Sequence, residues 1–472
     1  MAPVNRIPSE ILALIPDFWN EYGDKKDRDL VALTHVCRAW RKMFISWSSL
    51  WTNLDCVGGA RTLVYLERSK SLPINISLQT QRFLPSYRPC FEIIPLAIGR
   101  LKSLSVRAAP QELQYITPHL SRPAPLLENL SIDGGYSYEP HPTLTPALFN
   151  GDLSSLRSLD LKYVLTELPW KNMVNLTSFE LCCASPGGVI VKQLLDFFES
   201  APRLREVGLY YTTPTSGAQN GRLVSLACLK RMKVAGRDSA STLLNHLLIP
   251  VGADLKMDVD LPNPPNRDHP PRFLDNLGNF ANFTDIHIRF EEHYTQMRFS
   301  GPNGRVEMFP ETPRFDETDC SVLESLNQFD TSKVERLRID FCNSPSSDPS
   351  YRVLLPMKNL RTLTLDCHGT PHIFVHALHP TMSPSGIVVC PKLEELVIIL
   401  ASWGMFDMKS VIGVAAARAS RGTKLKSVRI VGNWDKFGQT EMLELEQHVL
   451  HVECGPKVYG TNDDSDDMDG WG

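Results

Sequence analysis

The chain lacks the cysteine spacing of a zinc knuckle. Its eleven cysteines include no C-x-x-C, and the closest two, Cys182 and Cys183, are adjacent and would point to opposite faces of a strand. That argues against a zinc site and, in an intracellular chain, against a disulfide framework; the cysteines are expected to be small buried hydrophobes. Long apolar runs are also missing. None approaches the roughly 18 residues of a membrane span, and the N-terminus lacks the basic-then-apolar pattern of a signal peptide. An intracellular protein of cytoplasm or nucleus is expected, with no membrane partner. Basic excess is absent as well. Asp463, Asp464, Asp466, Asp467 and Asp469 account for more than the net charge of −4, leaving the rest of the chain near +1, so no nucleic-acid partner is expected.

Catalytic signatures are missing too: there is no G-x-x-x-x-G-K-[ST], no G-x-S-x-G and no H-E-x-x-H. His372, His376 and His379 are spaced to share one helical face, but no acidic or cysteine partner stands near, and a half-exposed outer helix is the simpler reading. Asp258 and Asp260 alternate in an expected strand, which suits solvent exposure better than acid–base work. A non-enzyme with no cofactor and no metal is expected.

What the chain does have begins at its N-terminus. Ile11, Leu12 and Ile15 share one face of a short helix from about Ser9. From Asp29, a plausible N-cap, Leu30, Leu33, Val36, Cys37, Trp40 and Phe44 fall three and four apart, which predicts one continuous helix. A third short element, 48–54, carries Trp51 and Leu54. Three such helices in under about fifty residues cannot bury all their apolar faces among themselves, so some of that surface must meet another part of the chain or another protein.

Ile7-Pro8-Ser9-Glu10-Ile11-Leu12, then Leu30, Leu33, Val36-Cys37-Arg38-x-Trp40 and Leu50-Trp51, resembles an F-box. Ile7 stands where the family usually has leucine, a volume-conserving change, and the 20–27 connector is longer than the compact form. The resemblance implies docking on the Skp-type adaptor of SCF ubiquitin ligases, and through it on cullin, by Ile7, Pro8, Ile11, Leu12, Leu33, Val36, Cys37 and Trp40. The alternative use of Cys37 and Trp40 is as the core of an N-terminal cap. The following run YLERSKSLPINISL, read as a helix with Leu63, Leu66 and the Arg68 stem ending near Ser69 and then a strand with Ile74, Ile76 and Leu78, resembles the joining segment of fungal F-box proteins.

Beyond it a unit Leu-x-x-Leu-x-Leu recurs. It stands at Leu101/Leu104/Val106, Leu127/Leu130/Ile132, Leu156/Leu159/Leu161, Leu176/Phe179/Leu181, Leu204/Val207/Leu209, Leu229/Met232/Val234 and Phe283/Ile286/Ile288. It continues at Val334/Leu337/Ile339, Leu360/Leu363/Leu365, Leu393/Leu396/Ile398 and Leu425/Val428/Ile430. Two double-length gaps are expected to hold degenerate members near Leu255–Val259 and Val306–Met308. This is the period of a leucine-rich-repeat array: parallel strands stacked side by side, with outer helices such as Val189–Pro202. The repeats lack the asparagine of strict members, so an irregular solenoid is expected. Loops are expected at 261–272, 301–319 and 343–350, where proline and glycine are dense.

The fold class is therefore α/β repeat: F-box helices over 1–56, a connecting helix and first strand over 57–80, a solenoid over 81–456 and a disordered acidic tail over 457–472. Alternate strand positions would point outward. Among them Arg231, Lys233, Arg289, Arg336 and Arg338, with Tyr210 at the edge, form a mild basic strip suited to an acidic or phosphorylated segment of a target protein. The expectation is a substrate receptor of an SCF-type ubiquitin ligase. A repeat scaffold without ligase function is the alternative.

Overall fold

The computed structural model describes residues 26–55, 59–79, 92–135, 142–144, 148–166, 173–182, 191–212, 221–236, 243–259, 282–291, 294–310, 322–323, 325–341, 350–367, 372–382, 387–400, 407–432 and 439–455. The fold is α/β and mostly parallel, and the chain divides into two compact units, Met1–Gly217 and Ala218–Gly472.

The first unit opens with helix α1 (Lys26–His35) and helix α2 (Arg38–Ser46). The expected single helix is in fact broken at Val36–Cys37. Cys37 is extended, at φ −158° and ψ 170°, and its Sγ accepts the Trp40 N–H at 3.5 Å, so it is the N-cap of α2. Asp29, expected as the N-cap, lies within α1, three residues past its start. The apolar spacing survives the break because Leu33 of α1 packs against Trp40 and Phe44 of α2. Trp51 then donates its Nε1–H to the Phe44 carbonyl at 3.0 Å and meets Tyr65 edge to face in helix α3 (Gly59–Arg68). In α3 the buried face is Thr62 and Tyr65; Leu63, one of the residues that marked the helix in the sequence, is exposed. Arg100 closes the end of α3 by donating to the Leu66 carbonyl at 2.8 Å and the Ser69 hydroxyl at 2.9 Å.

Seven strands follow: β1 (Asn53–Asp55), β2 (Ile74–Gln79), β3 (Leu101–Arg107), β4 (Asn129–Asp133), β5 (Ser158–Lys162), β6 (Ser178–Cys182) and β7 (Glu206–Tyr210). Each pairs in parallel with the next. The registers set Leu54, Ile76, Leu104, Leu130, Leu159, Phe179 and Val207 in one row, and Leu78, Val106, Ile132, Leu161, Leu181 and Leu209 in another. All are buried. Burying each such side chain contributes about 1.5–3 kcal/mol, and no single strand achieves it without its neighbours.

A local rule brings each strand in. Leu127, Leu156, Leu176 and Leu204 donate their N–H to the carbonyl three residues back, at Ala124, Leu153, Met173 and Ala201. The apolar residue that begins the turn is buried in every case. The repeat is thus apolar-x-x-Leu-x-x-Leu-x-Leu, one apolar position longer than the triplet. Outside the strands the segments are short: helix α4 (Pro110–Ile116), helix α5 (Val191–Ser200) inside the expected 189–202, and the two-residue parallel pair Thr143–Leu144 with Leu165–Thr166.

The second unit carries β8 (Arg231–Ala235), β9 (Asp254–Val259), β10 (Asp285–Phe290), β11 (Thr295–Gly301), β12 (Gly304–Pro310), β13 (Arg336–Phe341), β14 (Thr362–Cys367), β15 (Glu395–Leu400), β16 (Ser427–Val431) and β17 (His451–Gly455). The degenerate strands at 255–259 and 306–308 are present, as β9 and β12. Their order in space departs from the order in the chain. β12, not β10, pairs with β9; β11 runs antiparallel between β12 and β10; β10 then pairs with β13. A three-stranded meander is thus inserted backwards into an otherwise parallel series. Residues 301–310, expected as loop, are the hairpin turn and strand β12, while 311–319 lie outside the described residues.

The hairpin turn explains the glycines there. Gly304 has φ +107°, and a Cβ on it would stand 3.1 Å from the Ala253 carbonyl oxygen. The same turn accepts the Gly252 N–H at the Asn303 carbonyl, 2.8 Å. Beneath the meander the core is aromatic, with Phe299 5.1 Å from Phe283 and 4.9 Å from Phe329 between ring centroids. Helices α6 (His372–Ala377), α7 (Met408–Ser420) and α8 (Gln439–His448) lie between the later strands. Arg418 of α7 is fully buried and donates to the Val389 and Cys390 carbonyls at 2.8 and 2.9 Å.

The expected loop at 261–272, residues 343–349 of the third loop and the tail at 457–472 lie outside the described residues. Of the cysteines whose surroundings are described, only Cys390 is buried; Cys228 is exposed and the others are intermediate, so the expectation of buried cysteines fails for most of them. Among the described residues no helix is long and apolar enough to cross a membrane.

Candidate functional site

The first candidate surface is the α1–α2 pair. Ile7, Pro8, Ile11 and Leu12 fall outside the described residues. Leu33 and Trp40 are each 8% exposed and fill the interior of the pair, with Trp40 edge to face on Phe44 at 5.6 Å. Both side chains hold the two helices together. Cys37 is half-buried and spends its sulfur on capping. Val36 is 52% exposed at the break between the helices, and Val31, five residues earlier, is also exposed.

The second is the outward face of the strands. In the second unit the expected basic strip is a lattice of alternating charge. The register sets Asp285 opposite Arg336 and His287 opposite Arg338, and Asp285 and Arg336 form an ion pair. Arg338 Nε lies 2.9 Å from Asp340 Oδ1, and its far end is 3.7 Å from Asp366. Arg289 pairs with Glu291 at 2.7 Å. Arg298 reaches Glu307 at 3.0 Å, and Arg305 pairs with the same carboxylate. Burial alone would raise the Asp340 carboxyl, but hydrogen bonds from His287, at 2.7 Å, and from Arg338 hold it below the usual carboxylate range. Asp285, Asp340 and Asp366 are outward positions in the sequence as well, and the strip expected from the arginines alone leaves them out.

The end of this face at β8, β9 and β12 is different. Lys233 is exposed and stands directly opposite Lys256 in register. Among the described residues Lys233 has no ion-pair partner. Lys256 Nζ lies 5.2 Å from the centroid of the half-buried Phe309 ring, and Phe309 is 6.3 Å from the ring of Tyr294. Tyr294 is 47% exposed. Neither Lys256, Phe309 nor Tyr294 was expected at a site. Phe309 sits beside the degenerate triplet, and the strand alternation set by Val306 and Met308 would have turned it outward. Arg231 is exposed on the same strand as Lys233.

In the first unit the outward rows are small and polar. One runs Ser77, Ser105, Ser131, Asp160, Glu180, Gly208, and another Ser103, Asn129, Ser158, Ser178, Glu206. Asn75 donates to Asn53 at 2.7 Å and Ser131 to Asp160 at 3.0 Å. Lys162 lies 3.7 Å from both Asp160 and Glu180. Burial raises the Asp160 carboxyl, against the pull of Lys162 and with the push of Glu180. Tyr210 lies over Gly208: a Cβ there would stand 2.9 Å from its ring. Burial, with Glu180 nearby, pushes the Tyr210 hydroxyl up to about 12. This residue belongs to an acid-rich edge, not to a basic strip.

Among the described residues no group of three metal-ligating side chains converges. The expected histidine face is not realised as one helix: α6 ends at Ala377, and His379 Nδ1 instead meets the Thr381 hydroxyl at 2.6 Å. No protein-family model matches the chain, and no curated protein is similar to it.

Proposed function

We propose that this chain is an F-box protein with an irregular leucine-rich-repeat solenoid, and that it is the substrate-recognition subunit of an SCF-type ubiquitin ligase. Its N-terminal helices dock the Skp-type adaptor, and its strand array holds a target protein. The observation that carries the reading is the ordered set Ile7-Pro8, Leu33, Val36-Cys37, Trp40 and Trp51, followed after a connecting segment by eleven aliphatic triplets at repeat spacing. The exposed Val31 and Val36 on an aromatic-braced helix pair support it, as apolar side chains open to a partner.

In this reading the receptor makes and breaks no bonds. It raises the effective concentration of its target beside a charged ubiquitin-conjugating enzyme held by other subunits. Reconstitution with recombinant adaptor, cullin and RING subunit tests it. The expected result is one stable assembly that ubiquitylates a protein bound to the strand array. Recovery of adaptor without cullin would make the chain a non-ligase scaffold.

A further inference from the structure

We infer that the acidic segment 463–469 of this chain docks on the basic rim at which strands β13 to β16 begin, and that the contact forms within one chain. The inference goes beyond the receptor reading and does not rest on it. These strands are parallel and all start on one rim. Residues at the same place in successive repeats therefore stand side by side, about 4.8 Å apart. One row is tied by backbone hydrogen bonds: the Arg361 N–H donates to the Glu335 carbonyl, Glu394 to Arg361, and Lys426 to Glu394. Its charges alternate, and the Glu394 carboxylate lies 3.7 Å from Arg361 and 2.9 Å from Lys426.

The positions just before that row do not alternate. Lys333, Lys392 and Lys424 each immediately precede the apolar residue that leads their strand in, and Lys358 stands two before its own. All four are exposed. Lys333 and Lys392 donate to the side-chain oxygens of Asn282 and Asn359, which are neutral. Among the described residues none of the four has an ion-pair partner. Asp330, just before them in the chain, caps the Ser332 N–H at 3.1 Å. With Arg361 and Lys426 these positions carry cations well in excess of the two carboxylates, Glu335 and Glu394, that share the rows with them.

The chain carries the complement itself. Its net charge is −4, and Asp463, Asp464, Asp466, Asp467 and Asp469 together exceed that. They lie outside the described residues and follow β17, which pairs in parallel with β16. β17 leads away from the rim for five residues, about 17 Å. Asp463 comes eight residues after Gly455, and eight extended residues span up to about 27 Å. The segment can therefore return along β17 to Lys424 and run on across the strand starts toward Lys392 and Lys358. Single surface ion pairs are weak, but so short a tether holds the aspartates at about millimolar effective concentration, and several contacts act together.

Carbodiimide coupling of the full chain tests this, because it joins carboxylates to lysines in contact and the links are read by mass spectrometry. Lys409 is the comparator. It is exposed in the first turn of α7, which leads from the end of β15 back toward the start of β16, so it stands on the side from which the chain leaves β17. Links from 463–469 to Lys358, Lys392 and Lys424 are expected to exceed those to Lys409 about fivefold or more. Their yield per chain should be unchanged on dilution and should fall in about 1 M salt. Lys392→Gln with Lys424→Gln, both at exposed positions, is expected to cut the links to Lys358 about threefold or more, with the circular dichroism spectrum unchanged. The inference is overturned by links to Lys409 as frequent as those to the rim, by no links to the rim, or by undiminished links to Lys358 in the double variant. A yield that falls on dilution also overturns it, since the occupant would then be the segment of a second copy. None of these readouts involves the adaptor, so they leave the ligase reading untouched whichever way they fall.

Discussion

The two units obey the same rule on their inner faces and opposite rules on their outer ones. Leu159 in the first and Leu363 in the second are equally buried members of aliphatic rows. Outside, Ser77, Ser105 and Ser131 make a low, small-residue surface, whereas Asp285, Arg336, His287, Arg338 and Asp340 make a layer of long, paired charges. The difference teaches which constraint each face answers to. Stacking repeats dictates the inner rows, since a strand with a polar inward residue leaves its neighbours a hole. The outer rows are set by whatever keeps the face solvated or lets it bind.

Changes to the inner rows should therefore have the largest effect, and the same effect in both units. Phe299→Ala, which empties the centre of the aromatic core under the meander, is expected to cost about 4 kcal/mol, and Leu159→Ala about 3 kcal/mol. Urea unfolding followed by circular dichroism measures both. A loss below about 1 kcal/mol in either would mean that its row is not a continuous core.

Acid should separate the outer faces. Asp340 has a folded-state carboxyl below its unfolded value, so its contribution is present above about pH 4 and is lost as pH falls through the lowered value. Asp160 has the opposite displacement. Its buried charge opposes folding at neutral pH, and that cost is relieved as pH falls through the raised value toward about 4. Asp340→Asn is thus expected to destabilise by about 1–3 kcal/mol at neutral pH and by progressively less in strong acid. Asp160→Asn should be neutral or stabilising at neutral pH and lose that advantage on acidification. Parallel pH profiles for the two variants would contradict the contrast between the faces.

The smallest effects belong to single contacts and to the polar rows. Trp51→Phe removes the Nε1–H bond to the Phe44 carbonyl while keeping most of the ring, and is expected to cost about 1 kcal/mol. Ser105→Ala should change stability by less than about 0.5 kcal/mol. A larger loss at Ser105 would mean that the small polar rows bear structure.

Most of the strands were legible in the sequence because a two-residue alternation led by a leucine has few other uses. Even the degenerate members at β9 and β12 were legible, since Leu255 and Met257, and Val306 and Met308, keep the alternation. Their order in space was not. A backward meander and a forward repeat present the same inward residues, and the distinction lies in the Gly301–Gly304 turn and in pairings between strands far apart in the chain. The break at Val36–Cys37 was hidden for a related reason. A two-helix corner can keep the three-and-four spacing, because Leu33 and Trp40 still meet across it.

The candidate site was half legible. Lys233 and the arginines were visible as outward positions, but charge pairing is a property of rows across strands, so Asp340 and Asp366 could be set against Arg338 only once the register was known. Phe309 lies in a strand that sequence read both as a degenerate repeat and as loop, and Tyr294 precedes β11, a strand that sequence did not mark.

The central claim is adaptor docking by the N-terminal helices, and it is tested most directly by titrating recombinant Skp-type adaptor into the full chain in a calorimeter. The account predicts a one-to-one complex, weakened about tenfold or more by Val36→Asp, with the circular dichroism spectrum unchanged because Val36 is exposed. A folded chain that gives no binding heat, and no complex on gel filtration, would contradict it and leave α1 and α2 as a cap for the strand array.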